Sequence, residues 1–564
     1  MAVTMKRIGV GASRSGAEYR RWPTVGQLAP QSHCGFVKAA TGSQGLACVY
    51  SPARAVRHRI KSAVLLAQQI DRVNFGLSVS VLLGLTLPLL VFPSETAAVL
   101  AAVYAWIANT FGWFYILTGA STLALVLYIA FSRYGAIRLG SEEPEFPTVS
   151  WVGMLFAAGI GSGMLYWSAI EWAYYVQAPP FGAEPFSDKA YDWAASYGLH
   201  HWGFVAWAFY SLPTLAIAYP FYVRKAPQLK YSNSAQYWLK GRENSWPARL
   251  MDSFFMIALI GGAGSSLGIS TPLISALIAR LTGIPDGFAL ELVVVGICVA
   301  LFSLSVWLGL TRGIRRLSDV NLLMAILFLL FVLFAGDTLF ILSMAVNSVG
   351  HLLQNTLAMT FWTDPIANSG FVGDWTIFYW AWWIAYAPFI GIFVTRISRG
   401  RTLREVVFGM LCLGSLGVWL FFFVLGNHSL GLQLSGEVDV IGVMNAESGT
   451  AAIVAGLDAL PLAAVAIGLF CVVAIIFAAT TYDSASYTLA ATASTELSAS
   501  QDPARWHRVF WAIAIAILPI GLMYAGGVRE AQTATLVVSL PLTFTFWLTG
   551  IALLKSLRAD HPPR

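Results

Sequence analysis

Charge is what this chain of 564 residues has least of. Asp, Glu, Lys and Arg make up 11% of it, against 57% hydrophobic residues. Soluble domains carry roughly 25% charge, so this composition, with a mean hydropathy of +0.68, belongs to an integral membrane protein. Cysteine is scarce as well. Cys34 and Cys48 lie near the start, and Cys298, Cys412 and Cys471 fall in apolar runs. No Cys-x-x-Cys or Cys/His spacing is present, which leaves no case for a disulfide framework or a transition-metal site. Hydrolase elbows, His-rich clusters and a P-loop lysine are missing too, so the reading is of a non-enzyme. Gly261, Gly262 and Gly264 sit inside an apolar span, a poor place for a nucleotide. No long apolar core follows Met1, which argues against a secretory signal. Residues 1–72 instead hold eleven Lys or Arg against only Glu18 and Asp71. They read as a disordered, basic cytoplasmic tail, or as the product of a start codon placed too far upstream.

What the chain has in abundance is apolar runs of spanning length, about 20 residues each. Twelve are expected, near 73–93, 113–132, 149–176, 197–222, 250–280, 289–310, 318–342, 374–396, 404–426, 458–482, 506–526 and 533–555. Residues 343–361, with Asn347, His351, Gln354 and Asn355 among apolar neighbours, read as an amphipathic helix lying on the surface. The organisation is therefore two peripheral helices at 73–132, five spans at 149–342, the surface helix, five spans at 374–555 and a short tail at 556–564. Lys and Arg crowd alternate loops, as in Arg224–Arg249 and Arg396–Arg404. The opposite loops keep only Lys189, Arg280 and Arg529. That bias places both termini in the cytoplasm and explains the net charge of +6 without any nucleic-acid partner.

Two spans are unusual. The third carries Gly159, Gly161 and Gly163 at alternate positions, and each glycine weakens a helix by about 1 kcal/mol relative to Ala. It reads either as a close packing surface or as a helix unwound in mid-membrane that turns carbonyls toward an ion. The eighth places Trp375, Tyr379, Trp382, Tyr386 and Phe389 at steps of three and four, on one face, with Trp383 beside them. Pro388 removes a helical N–H and is expected to bend the span. An aromatic face on a bent membrane helix fits a desolvated cation, or an interfacial belt. These two interrupted helices open the two five-span runs, which points to inverted repeats with a site between them. Elsewhere, His200 and His201 are adjacent and read as a satisfied polar pair. Trp202 and Tyr210 stand eight apart on one helical face. Thr480, Thr481 and Asp483 place hydroxyls and a carboxylate inside a span, a pattern that marks ion paths unless the hydroxyls only bond back to the helix. The basic tract from Arg396 to Arg404 reads as a cytoplasmic anchor, not a substrate site.

At the eighth span, FYWAWWIAYAPFIGIFVTRISRGRTLRE, the chain resembles the betaine/choline/carnitine transporter family. FWTDPIA at 361–367, HWG at 201–203 and PPFGAEP at 179–185 carry the same resemblance, which extends over about residues 70–555. It implies an all-α membrane protein of twelve transmembrane helices, with an amino-acid-transporter-like (LeuT-type) five-plus-five inverted repeat, usually a homotrimer in a bacterial inner membrane. It implies a quaternary-ammonium zwitterion held in an aromatic box of Tyr174, Trp202, Trp382 and Tyr386, with Tyr210 and Trp383 adjacent, like the carnitine-exchanger branch. By position, sodium would meet the carbonyls of Ala157, Ile160 and Phe477 and the hydroxyls of Thr480 and Thr481, as in the betaine symporters. Gly159, Gly161, Gly163, Asn321 and Asp483 would act in coupling. Choline carriers resemble one another in an acidic residue where Gly163 stands here. The sodium-independent exchanger has an arginine where Asn321 stands. Leu259 and Ala263 replace threonines proposed for a second sodium, and the nine-residue C-terminal tail is short for osmosensing. The expectation is sodium-coupled symport of glycine betaine, carnitine or a close analogue, an osmoprotectant, by alternating access. The alternatives are sodium-independent exchange and, further off, proton-coupled choline uptake. No cofactor is expected beyond the sodium ion itself.

Overall fold

The computed structural model describes residues 70–562, apart from 141–142, 160, 227, 243, 309–310, 496 and 498–500. Residues 1–69 of the tail predicted at 1–72, and the predicted ligand Ile160, lie outside the described residues. Among these residues every regular element is helical. Eleven helices are long and apolar enough to cross a membrane, and a bent pair counted as one span makes twelve.

The first span, α1 (Arg72–Val91), starts where the Asp71 carboxylate accepts the N–H groups of Val73 and Asn74, a standard satisfaction of orphan donors. The second, α2 (Pro93–Phe131), runs 39 residues, about twenty residues further toward its start than expected. Pro93 at its first turn has no N–H to leave unpaired. The third span is the bent pair. α3 (Thr148–Gly159) and α4 (Ser162–Gln177) meet at 68°. The break falls where glycine makes helix continuation weakest.

The fourth span is broken too, which the spacing of Trp202 and Tyr210 did not anticipate. α5 (Asp188–His201) stops at Trp202, and α6 (Phe204–Ala218) starts after Gly203. A Cβ on Gly203 would lie 2.4 Å from the Leu199 carbonyl oxygen and 2.8 Å from the Trp419 ring. The chain turns there because only glycine lets those groups close in.

α7 (Trp246–Thr282), α8 (Phe288–Leu308) and α9 (Thr311–Ala335) complete the first run. The expected boundary at 342 moves back. Gly336 ends α9, and Asp337 caps α10 (Thr338–Phe361) by accepting the Phe340 N–H. α10 is not among the helices apolar enough to cross. In the second run, one wide turn, Val372–Ile377, leads into α11 (Phe378–Ile397), which stays helical through Pro388. α12 (Leu403–Ser435) and α13 (Gly449–Asp458) follow. α14 (Ala463–Thr492) runs ten residues beyond the expected end at 482, so Thr480, Thr481 and Asp483 lie well inside a helix. α15 (Arg505–Ala525) and α16 (Val528–Asp560) close the fold.

α11 is the buried centre. It packs against α6, α7 and α16, while α4 and α14 both pack against α7. Trp380, Tyr379 and Phe378 on α11 are fully buried. Gly203→Ala forces a Cβ into backbone and indole, and overpacking of this kind costs about 1–3 kcal/mol. The variant is expected to unfold at lower temperature than the parent in detergent, followed by size-exclusion chromatography after heating. An unchanged midpoint would show that the break tolerates a side chain.

Candidate substrate cavity

One carboxyl organises the closed end of the site. Glu171, on α4, is buried, and three donors converge on it. Tyr175 donates to Oε1 at 2.5 Å, Tyr379 to Oε2 at 2.5 Å and the Trp202 indole to Oε2 at 3.0 Å. His201 extends the network, with Nδ1 2.8 Å from the Tyr175 hydroxyl and Nε2 3.1 Å from Thr376 Oγ1. A carboxyl in an apolar span is expensive unless its oxygens are satisfied. Here they are, by donors from α4, from the α5–α6 break and from α11.

This network orients the rings beside it. Trp202 is held by Glu171, Trp383 donates to the His201 carbonyl at 2.8 Å, and Trp382 donates to the Gly262 carbonyl at 3.2 Å. With each indole N–H spent on a fixed acceptor, the ring planes are set. Trp382 and Trp383 lie nearly parallel, 9° apart with centroids 5.5 Å apart. Trp202 meets Trp383 edge-on at 4.7 Å, and Tyr210 meets Trp383 edge-on at 5.9 Å.

These rings close one end of a cavity of about 450 Å³. Trp202, Tyr210, Trp382, Trp383 and Tyr386 all line it. Ala157, Gly161, Met164 and Ser266 form another wall, and Phe477, Thr480, Thr481 and Asp483 a third. The Gly163 N–H donates to Ser266 Oγ at 3.2 Å. A Cβ on Gly163 would come within 3.2 Å of the Trp382 ring, so this glycine leaves the indole its room.

The residues singled out in the sequence fall into three groups. Five of the six aromatic residues converge in the cavity. Tyr174 does not. Its hydroxyl pairs with that of Tyr166 at 2.7 Å and its ring packs on Trp375 and Trp167, beside but outside the lining. One step along α4, Tyr175 turns to Glu171 instead. Of the sodium ligands expected from resemblance, Ala157, Phe477, Thr480 and Thr481 share the cavity with the rings. Both hydroxyls donate to the Phe477 carbonyl, at 3.0 and 2.8 Å, the backbone bonding foreseen as their alternative role. A donating hydroxyl keeps its lone pairs for a cation. Among the coupling residues, Gly161 and Asp483 line the cavity, with Asp483 paired to Arg508 at 2.7 Å. Asn321 is buried off the cavity, its amide 3.4 Å from the Val473 carbonyl.

The sequence did not single out Glu171, Tyr379 as a bonding residue, or Ser266. A carboxyl surrounded by an apolar span was the available signal for Glu171. Arg396 also departs from expectation. It lines the cavity, while Arg401 and Arg404 anchor on the Phe146 and Ala130 carbonyls.

The family model for betaine/carnitine/choline transporters matches residues 73–562. The chain belongs to the betaine/carnitine/choline transporter family. It is 36% identical over 440 residues to the Escherichia coli protein described as an uncharacterized transporter, YeaV, covering 78% of this chain and 92% of that one. It is 33% identical over 474 residues to a carnitine transporter of Acinetobacter baumannii, covering 84% and 86%. A solved sodium-coupled sialic acid symporter, in a substrate-bound outward-open state, aligns with a TM-score of 0.39 and 15% identity over 74% of this chain and 80% of that one; a likeness that weak carries no inference. Members of this family are transporters, not enzymes, and the cavity is the candidate site for a transported molecule.

Tyr379→Phe removes one of the three donors on Glu171. Hydrogen bonds to a charged group contribute about 1.5–3 kcal/mol, so thermal stability should fall, and ligand quenching of tryptophan fluorescence should weaken as Trp202 and Trp383 loosen. Unchanged stability and quenching would detach this network from the ring geometry.

Proposed function

We propose that the protein takes up a quaternary-ammonium zwitterion, a carnitine-like betaine or a close analogue, by sodium-coupled symport with alternating access. The observation that carries this reading is the set of rings around one cavity, the anchored Trp202, Trp382 and Trp383 with Tyr210 and Tyr386. A methylated ammonium cannot donate hydrogen bonds, so what recognises it in a dry site is ring faces, worth about 0.5–2 kcal/mol each. No carboxylate lines that end. Asp483, the acidic residue of the lining, sits with Tyr487 and Arg396 at the far end. A substrate that brings its own negative charge fits such a site better than a bare cation. The family relative named as a carnitine transporter supports the same class.

Sodium is treated as the co-transported substrate. Oxygen ligands suit a hard cation, and the Thr480 and Thr481 hydroxyls on α14, with the Ala157 carbonyl on α3, would supply them; the Phe477 carbonyl accepts both hydroxyls here and would have to exchange them for the ion. A cation there would tie the broken helix to α14 and favour the state that binds substrate. The charge bias of the loops supports a topology with both termini and the Arg396 end of α11 in the cytoplasm of a bacterial inner membrane, and the family assembly would be a homotrimer. In that topology the Arg396 end of the cavity would face inward and the Glu171 network would lie toward the outside.

Sodium-free exchange is the rival reading. Purified protein in proteoliposomes should accumulate labelled betaine or carnitine only with an inward sodium gradient, and Trp382→Leu should abolish uptake. Thr480→Ala with Thr481→Ala should raise the sodium needed for half-maximal uptake by about tenfold, the loss of two ligand oxygens at about 0.5–1.5 kcal/mol each. Equal counterflow in sodium-free buffer would replace symport with exchange. Gly163→Asp should bring a carboxylate beside Trp382 and admit choline; a variant that still refuses choline would remove charge balance from the account of selectivity.

A further inference from the structure

The lining of α11 does not end with the tryptophans. Tyr386, Phe389, Phe393 and Arg396 follow on one face at steps of three, four and three, and all line the cavity. Across from them α14 presents Thr480, Ser484 and Tyr487. At a rise of 1.5 Å per residue, Arg396 stands about 21 Å along the helix from Trp382. A betaine-sized molecule cannot touch both at once.

Arg396 has the properties of a group that awaits an anion. Among the described residues its polar partner is the Tyr487 hydroxyl, 3.3 Å from Nη1, and its guanidinium lies 5.4 Å from that ring. The Tyr487 hydroxyl gives its proton to Asp502 Oδ1 at 3.0 Å, so it accepts from Arg396 and holds the guanidinium in place. The Nε atom of Arg396 is buried with no acceptor. No ion pair is found for Arg396 among the described residues. Its neighbours are accounted for differently. Arg508, on the other side of the Tyr487 ring at 5.2 Å, is neutralised by Asp483. Arg401 stacks on Trp151 at 4.1 Å. Arg508 and Asp483 therefore cancel each other at this end, while Asp502 reaches Arg396 only through the Tyr487 hydroxyl, so the Arg396 guanidinium has no carboxylate in direct contact among the described residues. A buried donor without an acceptor is costly, and the guanidinium fork matches a carboxylate in two parallel hydrogen bonds.

We propose that Arg396, positioned by Tyr487, is a second binding station, for the carboxylate of a small zwitterion, at the opposite end of the cavity from the ring box. It rests on the transport reading above. The ring box holds the ammonium, and Arg396 takes the carboxylate after the substrate has left the tryptophans, so that release proceeds in two weakly held steps.

The probe is acetate, a carboxylate without an ammonium group. Its binding to the purified full-length protein in detergent is measured by saturation-transfer NMR, in wild type, Arg396→Gln and Arg396→Lys. In parallel, betaine counterflow is measured in proteoliposomes with acetate added. Arg396→Gln should weaken acetate by about tenfold, the effect of one charge-assisted contact, and should abolish acetate competition in counterflow. Arg396→Lys, which keeps the charge but not the fork, should fall between. An unshifted acetate affinity in Arg396→Gln, or a loss in Arg396→Lys as large as in Arg396→Gln, overturns the station. If acetate binds through Arg396 but no betaine counterflow occurs, the transport reading fails while the anion site stands. If counterflow occurs and acetate binding ignores Arg396, the reverse holds.

Discussion

Burying a carboxyl among apolar helices is unfavourable unless donors meet it from several directions, and the donors must then stay where they are. Glu171 imposes that constraint here. Its partners come from its own helix, from the break between α5 and α6, and from α11. The same three elements carry Tyr175, Trp202 and Tyr379; Trp202 lines the cavity itself, and Trp382 and Trp383 line it beside Tyr379. Removing the carboxyl would free Trp202 to turn, and Trp202 sets the edge against which Trp383 packs. The binding surface is thus a consequence of a polar hub that never touches the cavity's contents.

Broken helices are the second constraint. A span interrupted in a membrane must pass its backbone groups to protein or to a water-lined space. The α3–α4 break does this beside the cavity, where the Gly163 N–H reaches Ser266. The break at Trp202–Gly203 lets an indole leave the helix axis and reach Glu171. Both breaks leave short helices on either side of α11, which stays packed at the centre.

Much of this was legible in the chain. The twelve apolar runs, the alternating basic loops and the aromatic face of the eighth span follow from period and composition, and Trp382, Trp383 and Tyr386 lie where that face placed them. Helix ends were less legible: the Asp337 cap was passed over and the boundary set at 342. They were also missed where apolar residues simply continue, as beyond Tyr482 in α14. Tyr174 and Tyr175 show the limit of reasoning by position. Both are aromatic neighbours on one helix, and a rotation of about 100° per residue sends one hydroxyl to Tyr166 and the other to Glu171. Trp202 was recognised for its ring, yet the break that aims it depends on a three-dimensional collision at Gly203 that no spacing reveals. Arg396 was grouped with the anchoring arginines because the sequence cannot say which of four neighbouring guanidinium groups faces inward.

The central claim is that ring faces recognise a positive charge in this cavity, and the most direct test varies that charge alone. Binding of carnitine or glycine betaine is compared with binding of the matching carboxylate in which a carbon replaces the quaternary nitrogen, measured by tryptophan fluorescence on the same preparation. The shapes are nearly equal, so hydrophobic contact is held constant. With several rings around the ammonium at about 0.5–2 kcal/mol each, the charged ligand should bind at least about tenfold more tightly. Equal affinities would contradict the account, because the rings would then be reading shape and apolar surface rather than charge.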